Sequence, residues 1–288
     1  MDAAPPLGLA MTPLRLAVLV FAATAVAAST ASADTYALIV SGASGGPTYA
    51  TKYDGWRTTL VTTLKVKFGY GDDHVLSLGE ATREQVHQAF QALRARMTRD
   101  DVLFVALIGH GTDDKFNLVG PDMRAADWAA ELKGIDGRTV FVDTSSSSYV
   151  FFTQLSSPGR VVISANESAA QQFETVFPEF FVTAFTDAAA DADKDGRVSM
   201  LEAFQYASAK VRTWFDQHNQ LPTERALITE EAVARATFLQ SRAGGSKRQA
   251  DLESAIASLK ARKSTMSQEA YDAELERLLT ELARVSRP

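Results

Sequence analysis

The stretch Asp191 to Glu202, DADKDGRVSMLE, places oxygen-bearing side chains at its first, third, fifth, ninth and twelfth positions, with glycine at the sixth. A hard cation such as Ca2+ takes about six to eight oxygen ligands from a tightly wrapped backbone. In this spacing Asp191, Asp193 and Asp195 supply carboxylates and Arg197 its backbone carbonyl. Ser199 offers a direct or water-bridged oxygen, and Glu202 closes the loop as a bidentate carboxylate. Gly196 serves the sharp turn at the midpoint, and Val198 is expected to tuck against flanking helices while making a short strand contact. Ca2+ is therefore the expected cofactor. No second loop of this kind is visible, which points to structural stabilisation, since sensors act through coupled helix pairs.

A second group of reactive side chains falls at the ends of two apolar runs. VLFVALI leads into Gly109-His110-Gly111-Thr112, and TVFVDT leads into Ser145-Ser146-Ser147-Ser148. Ligands of open α/β sheets gather beyond the carboxyl ends of the strands, so His110 and the serine turn should share one rim. Asp113 or Asp114 is placed to orient His110, and Asp143 to accept hydrogen bonds from amides of the turn. The chain has no cysteine, hence neither disulfides nor a thiolate nucleophile. Its four histidines, His74, His87, His110 and His218, have no zinc-motif spacing. The run Ser41 to Gly46, SGASGG, lacks the lysine and spacing of a phosphate loop and reads as a rim loop. Trp56, Trp128 and Trp214 fall in helical stretches and are expected in the core.

The elements that must hold these residues alternate. TYALIV is followed by apolar residues at helical spacing, Tyr53, Trp56, Leu60, Leu64 and Phe68, closed by Gly69. HVLSL precedes a helix with the cap pair Thr82 and Gln85 and a buried face of Val86, Phe90, Leu93 and Met97. VLFVALI is apolar throughout, as a strand covered on both faces should be, and TVFVDT and RVVISA give two further buried strands. A helix is expected over Ala125 to Leu132, and Phe177 to Phe185 and Phe204 to Phe215 give helices on either side of the calcium loop. Repetition of strand and helix predicts an α/β fold with a mostly parallel sheet covered on both faces. The tail from 231 to 288 is expected to be helical, with a break at Ala243 to Ser246. Leu252, Ile256 and Leu259 line one helix; Tyr271, Leu275, Leu278, Leu282 and Val285 line another, capped by Ser267. That spacing suits a hairpin packed on its own domain or a coiled coil with another chain.

Arg15, the apolar run from Leu16 to Ala28 and the small residues Ala31-Ser32-Ala33 read as a secretory leader, residues 1 to 33, cleaved before Asp34. The expected location is periplasmic or secreted, with no membrane contact once the leader is removed. The net charge of -6, from 35 acids and 29 bases, offers no basic face for nucleic acid or anionic lipid.

A buried strand ending in His-Gly, followed by a strand ending in an acid and a short nucleophile turn, resembles the caspase and legumain clan of cysteine peptidases. The similarity spans about Thr35 to Val211, inside a domain from 34 to 230. It implies a caspase-like three-layer sandwich, with a C-terminal helical hairpin appended, and gives His110 the place of the general base. The clan's turn, acid-Ala-Cys-x-Ser-Gly, lays its cysteine on Ser145, or on Ser146 if Tyr149 stands for the glycine. Ala165-Asn166-Glu167-Ser168 falls where the clan builds part of its substrate cleft. The stretch at 191 to 202 is similar to an EF-hand loop.

A serine hydroxyl is a poorer nucleophile than a thiol and needs an oriented base and oxyanion donors. The combined expectation is an exported, calcium-binding pseudopeptidase that acts as a binding or scaffold module, with an extended peptide or protein as partner. Two alternatives stay open: a hydrolase using His110 with Ser145 or Ser146, and a calcium-stabilised structural protein.

Overall fold

The computed structural model describes residues 33–171, 173–240, 252, 255, 256, 258–260, 262, 263 and 266–285. The expected leader, apart from Ala33, and the expected break at Ala243 to Ser246 lie outside these.

The chain opens with strand β1 (Thr35–Ser41), helix α1 (Pro47–Thr62), β2 (Val75–Leu78), α2 (Arg83–Arg94) and β3 (Val102–Ile108). Short strands β4 (Gly111–Thr112), β5 (Lys115–Phe116) and β6 (Met123–Arg124) form a separate antiparallel sheet before α3 (Ala125–Leu132). There follow β7 (Arg138–Asp143), α4 (Ser148–Leu155), β8 (Val161–Ser164), α5 (Phe177–Ala184), α6 (Met200–Gln217), β9 (Leu227–Ile228), α7 (Glu231–Arg235) and α8 (Gln268–Val285). The six-stranded sheet runs β2-β1-β3-β7-β8-β9, parallel except for the antiparallel pairing of β9 with β8.

The apolar strands follow from this layering. Alternate residues of a strand face opposite sides. Ala37 and Ile39 of β1, with Phe104 and Ala106 of β3, enter one core beneath α1, α5 and α6. Leu38 and Val40, with Leu103 and Val105, enter the other beneath α2, α3 and α4. Both faces are buried, so the strands are mostly apolar, with polar residues such as Asp143 and Ser164 at their carboxyl ends, and each fully buried Leu or Phe contributes about 1.5–3 kcal/mol. The architecture is an α/β three-layer sandwich.

Local signals act as expected at several points. Thr82 and Gln85 form a capping box at α2. Beyond Thr62, α1 widens into a π turn over Thr63–Lys67, and Gly69 leaves it at φ 73°, where a Cβ would be strained. The tail's first segment belongs to the domain body. Ala234 and Leu239 join the core of α5 and α6, and the Tyr70 hydroxyl donates to the Leu239 carbonyl at 2.8 Å. Further on, Leu252, Ile256 and Leu259 close on Tyr271 and Leu278 of α8 as a hairpin with an apolar cluster of its own.

Candidate functional site

The path from β1 goes first to β2 on one side and then to β3 on the other, so the strand order reverses between β1 and β3. A crevice forms beyond the carboxyl ends of the strands at such a switch point. His110 follows β3 there. Its imidazole meets the rings of Tyr49 and Tyr53 edge to face, with centroids 4.6 and 5.4 Å away. His110 lines a narrow cleft with Tyr53 and Trp56 of α1, Ser146 of the serine turn, and Glu174, Thr175 and Pro178 at the entry to α5. Burial holds the His110 imidazole below the usual histidine range; Glu174 pulls it up and Lys52 pushes it down. The ring is thus the neutral, base-competent form near pH 7. Among the described residues no side chain hydrogen-bonds it: Asp114 is held by the Arg124 guanidinium at 2.8 and 3.0 Å, and Asp113 occupies the β4–β5 turn at φ 56°.

The serine turn is tied down by structural bonds. Ser146 Oγ donates to the Gly111 carbonyl at 2.8 Å and accepts from the Gly111 amide at 3.3 Å. Ser147 Oγ donates to the Lys115 carbonyl at 2.8 Å. Ser148 Oγ donates to Asn166 Oδ1 at 3.1 Å, while Asn166 Nδ2 donates to the Ser146 carbonyl at 2.7 Å and its Oδ1 accepts from the Tyr149 amide at 3.1 Å. Asn166 therefore acts here as the clasp of the turn. Gly111 is required by this packing, because a Cβ there would lie 1.9 Å from Ser147 Oγ and 2.7 Å from Ser145 Oγ.

Ser145 and Asp143 form a buried pair beneath the rim. The Ser145 amide donates to Asp143 Oδ1 at 2.8 Å, while Ser145 Oγ and Asp143 Oδ2 are buried without a hydrogen-bond partner. Burial pushes the Asp143 carboxyl up to about 7, against the pull of the Ser145 amide and hydroxyl lying beside it. Ser146 lines the cleft with His110, whereas Ser145 is 0% exposed.

The acidic loop follows the C-terminal end of α5, whereas the cleft lies at that helix's N-terminal entry. The helix expected over Phe177 to Phe185 is α5, and a 3-10 turn, Ala188–Ala190, intervenes between it and the loop. Ligand oxygens of Asp191, Asp193 and Asp195 lie within 4.8 Å of one another. Loop amides bind the same carboxylates: Gly196 donates to Asp191 Oδ2 at 2.9 Å, and Asp195 donates to Asp191 Oδ1 and Asp193 Oδ1, each at 3.1 Å. Gly196 has φ 86°, as the mid-loop turn requires. Ser199 and Glu202 form the capping box of α6, with Ser199 Oγ donating to Glu202 Oε2 at 2.7 Å. Glu202 Oε1 reaches back to the start of the loop, accepting from the Ala192 amide at 3.0 Å and the Asp193 amide at 3.3 Å. Burial raises the Glu202 pKa, but these bonds from Ser199, Asp193 and Ala192 outweigh it and hold the carboxyl below the usual range. The Arg197 amide donates to Asp195 Oδ1 at 2.9 Å, and its guanidinium lies 3.7 Å over the Phe238 ring. The strand contact expected at Val198 falls one residue later, as a bridge between Ser199 and Phe238. The three aspartates and Gly196 fit a hard cation, and Glu202 adjoins them already ionised.

Sequence reasoning missed Lys52, Tyr49, Glu174 and Thr175, and placed Trp56 in the core, where it is only partly buried. A signal was present: Tyr49, Lys52, Tyr53 and Trp56 follow the spacing i, i+3, i+4, i+7 of one helix face, and a lysine within an aromatic stripe marks a face that is not wholly core. Trp128 is fully buried as expected, whereas Trp214 is only partly buried and stacks on His218 with centroids 4.0 Å apart. Compared with protein-family models and with curated proteins, the chain matches none.

Proposed function

We propose that this chain is an exported, calcium-binding domain of caspase and legumain type that has lost peptidase chemistry and uses its cleft to hold an extended peptide or protein segment. The observation that carries this reading is the state of the serine hydroxyls. Ser146 gives its proton to the Gly111 carbonyl rather than to His110, and Ser145 Oγ is sealed beneath the turn. The Ser145 amide, a candidate oxyanion donor, is committed to Asp143. The cleft persists at the switch point of the sheet, with a neutral imidazole and aromatic walls suited to binding. Calcium at Asp191, Asp193, Asp195 and Glu202, aided by the Arg197 carbonyl and Ser199, would supply charge neutralisation and rigidity to the loop, with no part in covalent chemistry.

Export is supported by where the fold starts. β1 begins at Thr35, immediately after the expected cut, and the Asp34 amide donates to Asp101 Oδ1 at 2.8 Å. Cleavage before Asp34 would turn that amide into an ammonium paired with a buried carboxylate. The central test is labelling with a fluorophosphonate probe, alongside hydrolysis of a peptide library. The expected result is neither labelling nor cleavage. Labelling lost in both His110→Ala and Ser146→Ala would establish the serine hydrolase instead.

A further inference from the structure

We infer that the cleft takes a cationic side chain, lysine or arginine of an extended peptide, at a site now filled by the protein's own Lys52. The inference rests on the peptide-binding reading above and names the class of ligand. Three observations converge on it. The Lys52 ammonium lies 5.0 Å over the Trp56 ring, and aromatic faces attract cations. The same ammonium is paired with Glu174, whose other carboxylate oxygen accepts from the Tyr49 hydroxyl at 3.2 Å. Tyr53 continues the aromatic wall, with centroids 5.8 Å from Tyr49 and 5.9 Å from Trp56. The Trp56 face and the Glu174 carboxylate, both of which line the cleft with His110, thus meet on the Lys52 ammonium as they would on a ligand cation.

The internal pair is exchangeable. The side chains of Lys52 and Glu174 are 34% and 35% exposed, and a pair this open to solvent is weak. Lys52 is only partly buried, so its long stem can swing into water while an incoming ammonium or guanidinium replaces it between Trp56 and Glu174. Phe173, 66% exposed and next to Glu174 in the chain, offers an apolar surface for the ligand's flanking residue.

Isothermal titration with Ac-Ala-Ala-Lys-Ala-amide, its arginine version and its norleucine and glutamate versions tests this on the full chain. The lysine and arginine peptides should bind and the glutamate peptide should not. Lys52→Met, which vacates the site, should tighten the lysine peptide by about tenfold, and Glu174→Gln should weaken it by about tenfold. Unchanged melting of both variants shows that the fold is intact. If all four peptides bind alike and neither substitution matters, the cation site is wrong while the peptide cleft stands. If neither these peptides nor a random peptide pool binds at millimolar concentration, the peptide-binding reading fails and the cation site fails with it.

Discussion

Ser199 pairs with Phe238 in an isolated antiparallel bridge, continued by the Met200 amide donating to the Thr237 carbonyl at 2.9 Å. The acidic loop therefore leans on the segment that leads toward the C-terminal hairpin. Ser199 is at once the ninth loop position, the N-cap of α6 and the bridging residue. Ordering the loop should order residues 237 to 239 with it.

Calcium should accordingly raise thermal stability. With a Kd of about 10⁻⁴ M, 10 mM calcium would stabilise the native state by about 2.7 kcal/mol, a rise in Tm of roughly 5–10 °C for a chain of this size. Asp193→Asn should abolish the response and leave the capping box of Ser199 and Glu202 in place. Identical melting curves for the wild type in calcium and in chelator would remove the metal site.

Asp143 should make stability depend on pH. Its folded pKa of about 7 lies above the ordinary 3.8, so the native state holds this proton more tightly than the unfolded chain. The resulting stabilisation is fully present below about pH 4 and is lost as pH rises through about 7. Asp143→Asn keeps an acceptor for the Ser145 amide and gives Ser145 Oγ a donor. Relative to the wild type it should gain roughly 2–3 kcal/mol between pH 5 and pH 8 in urea denaturation. Glu224, also pushed up to about 7, chiefly by burial, contributes a slope of the same sign in both proteins. A pH-independent difference between the two proteins would show that Asp143 is ionised throughout.

Gly111→Ala should destabilise the protein by about 1–3 kcal/mol, the range for forcing a methyl group into a filled site. The new Cβ would evict Ser147 Oγ from its bond to the Lys115 carbonyl and also meets that carbonyl at 3.0 Å. Chemical denaturation measures the loss. A change below about 0.5 kcal/mol, the ordinary surface range, would mean that the β4–β5 hairpin and the serine turn part easily.

Cysteine scanning should decide which serine faces the cleft. Ser146→Cys borders His110 and should react with iodoacetamide at least about tenfold faster than Ser145→Cys, because alkylation requires an accessible thiolate. Adding His110→Ala should slow Ser146→Cys and leave Ser145→Cys unchanged. Faster modification at position 145 would reverse the assignment.

The layered sheet was legible in the chain because strands buried on both faces are mostly apolar, and local caps such as Thr82 with Gln85 are written within three residues. The acidic loop was legible for the same reason: Asp191, Asp193, Asp195 and Gly196 act through the backbone that joins them. What the serines do was not, since Ser146 binds Gly111 and Ser148 binds Asn166 only when separate strands and loops meet. The cleft wall follows the same rule. Helical period marked Tyr53 and Trp56 as apolar positions, but period alone cannot distinguish a face against the core from a face along a crevice. Glu174 reaches Lys52 from far along the sequence, and that meeting exists only because α5 packs beside α1 over the reversal point of the sheet. Contacts within one turn or one strand are set by local geometry; contacts between elements depend on the sheet order, which alternating hydrophobicity does not encode.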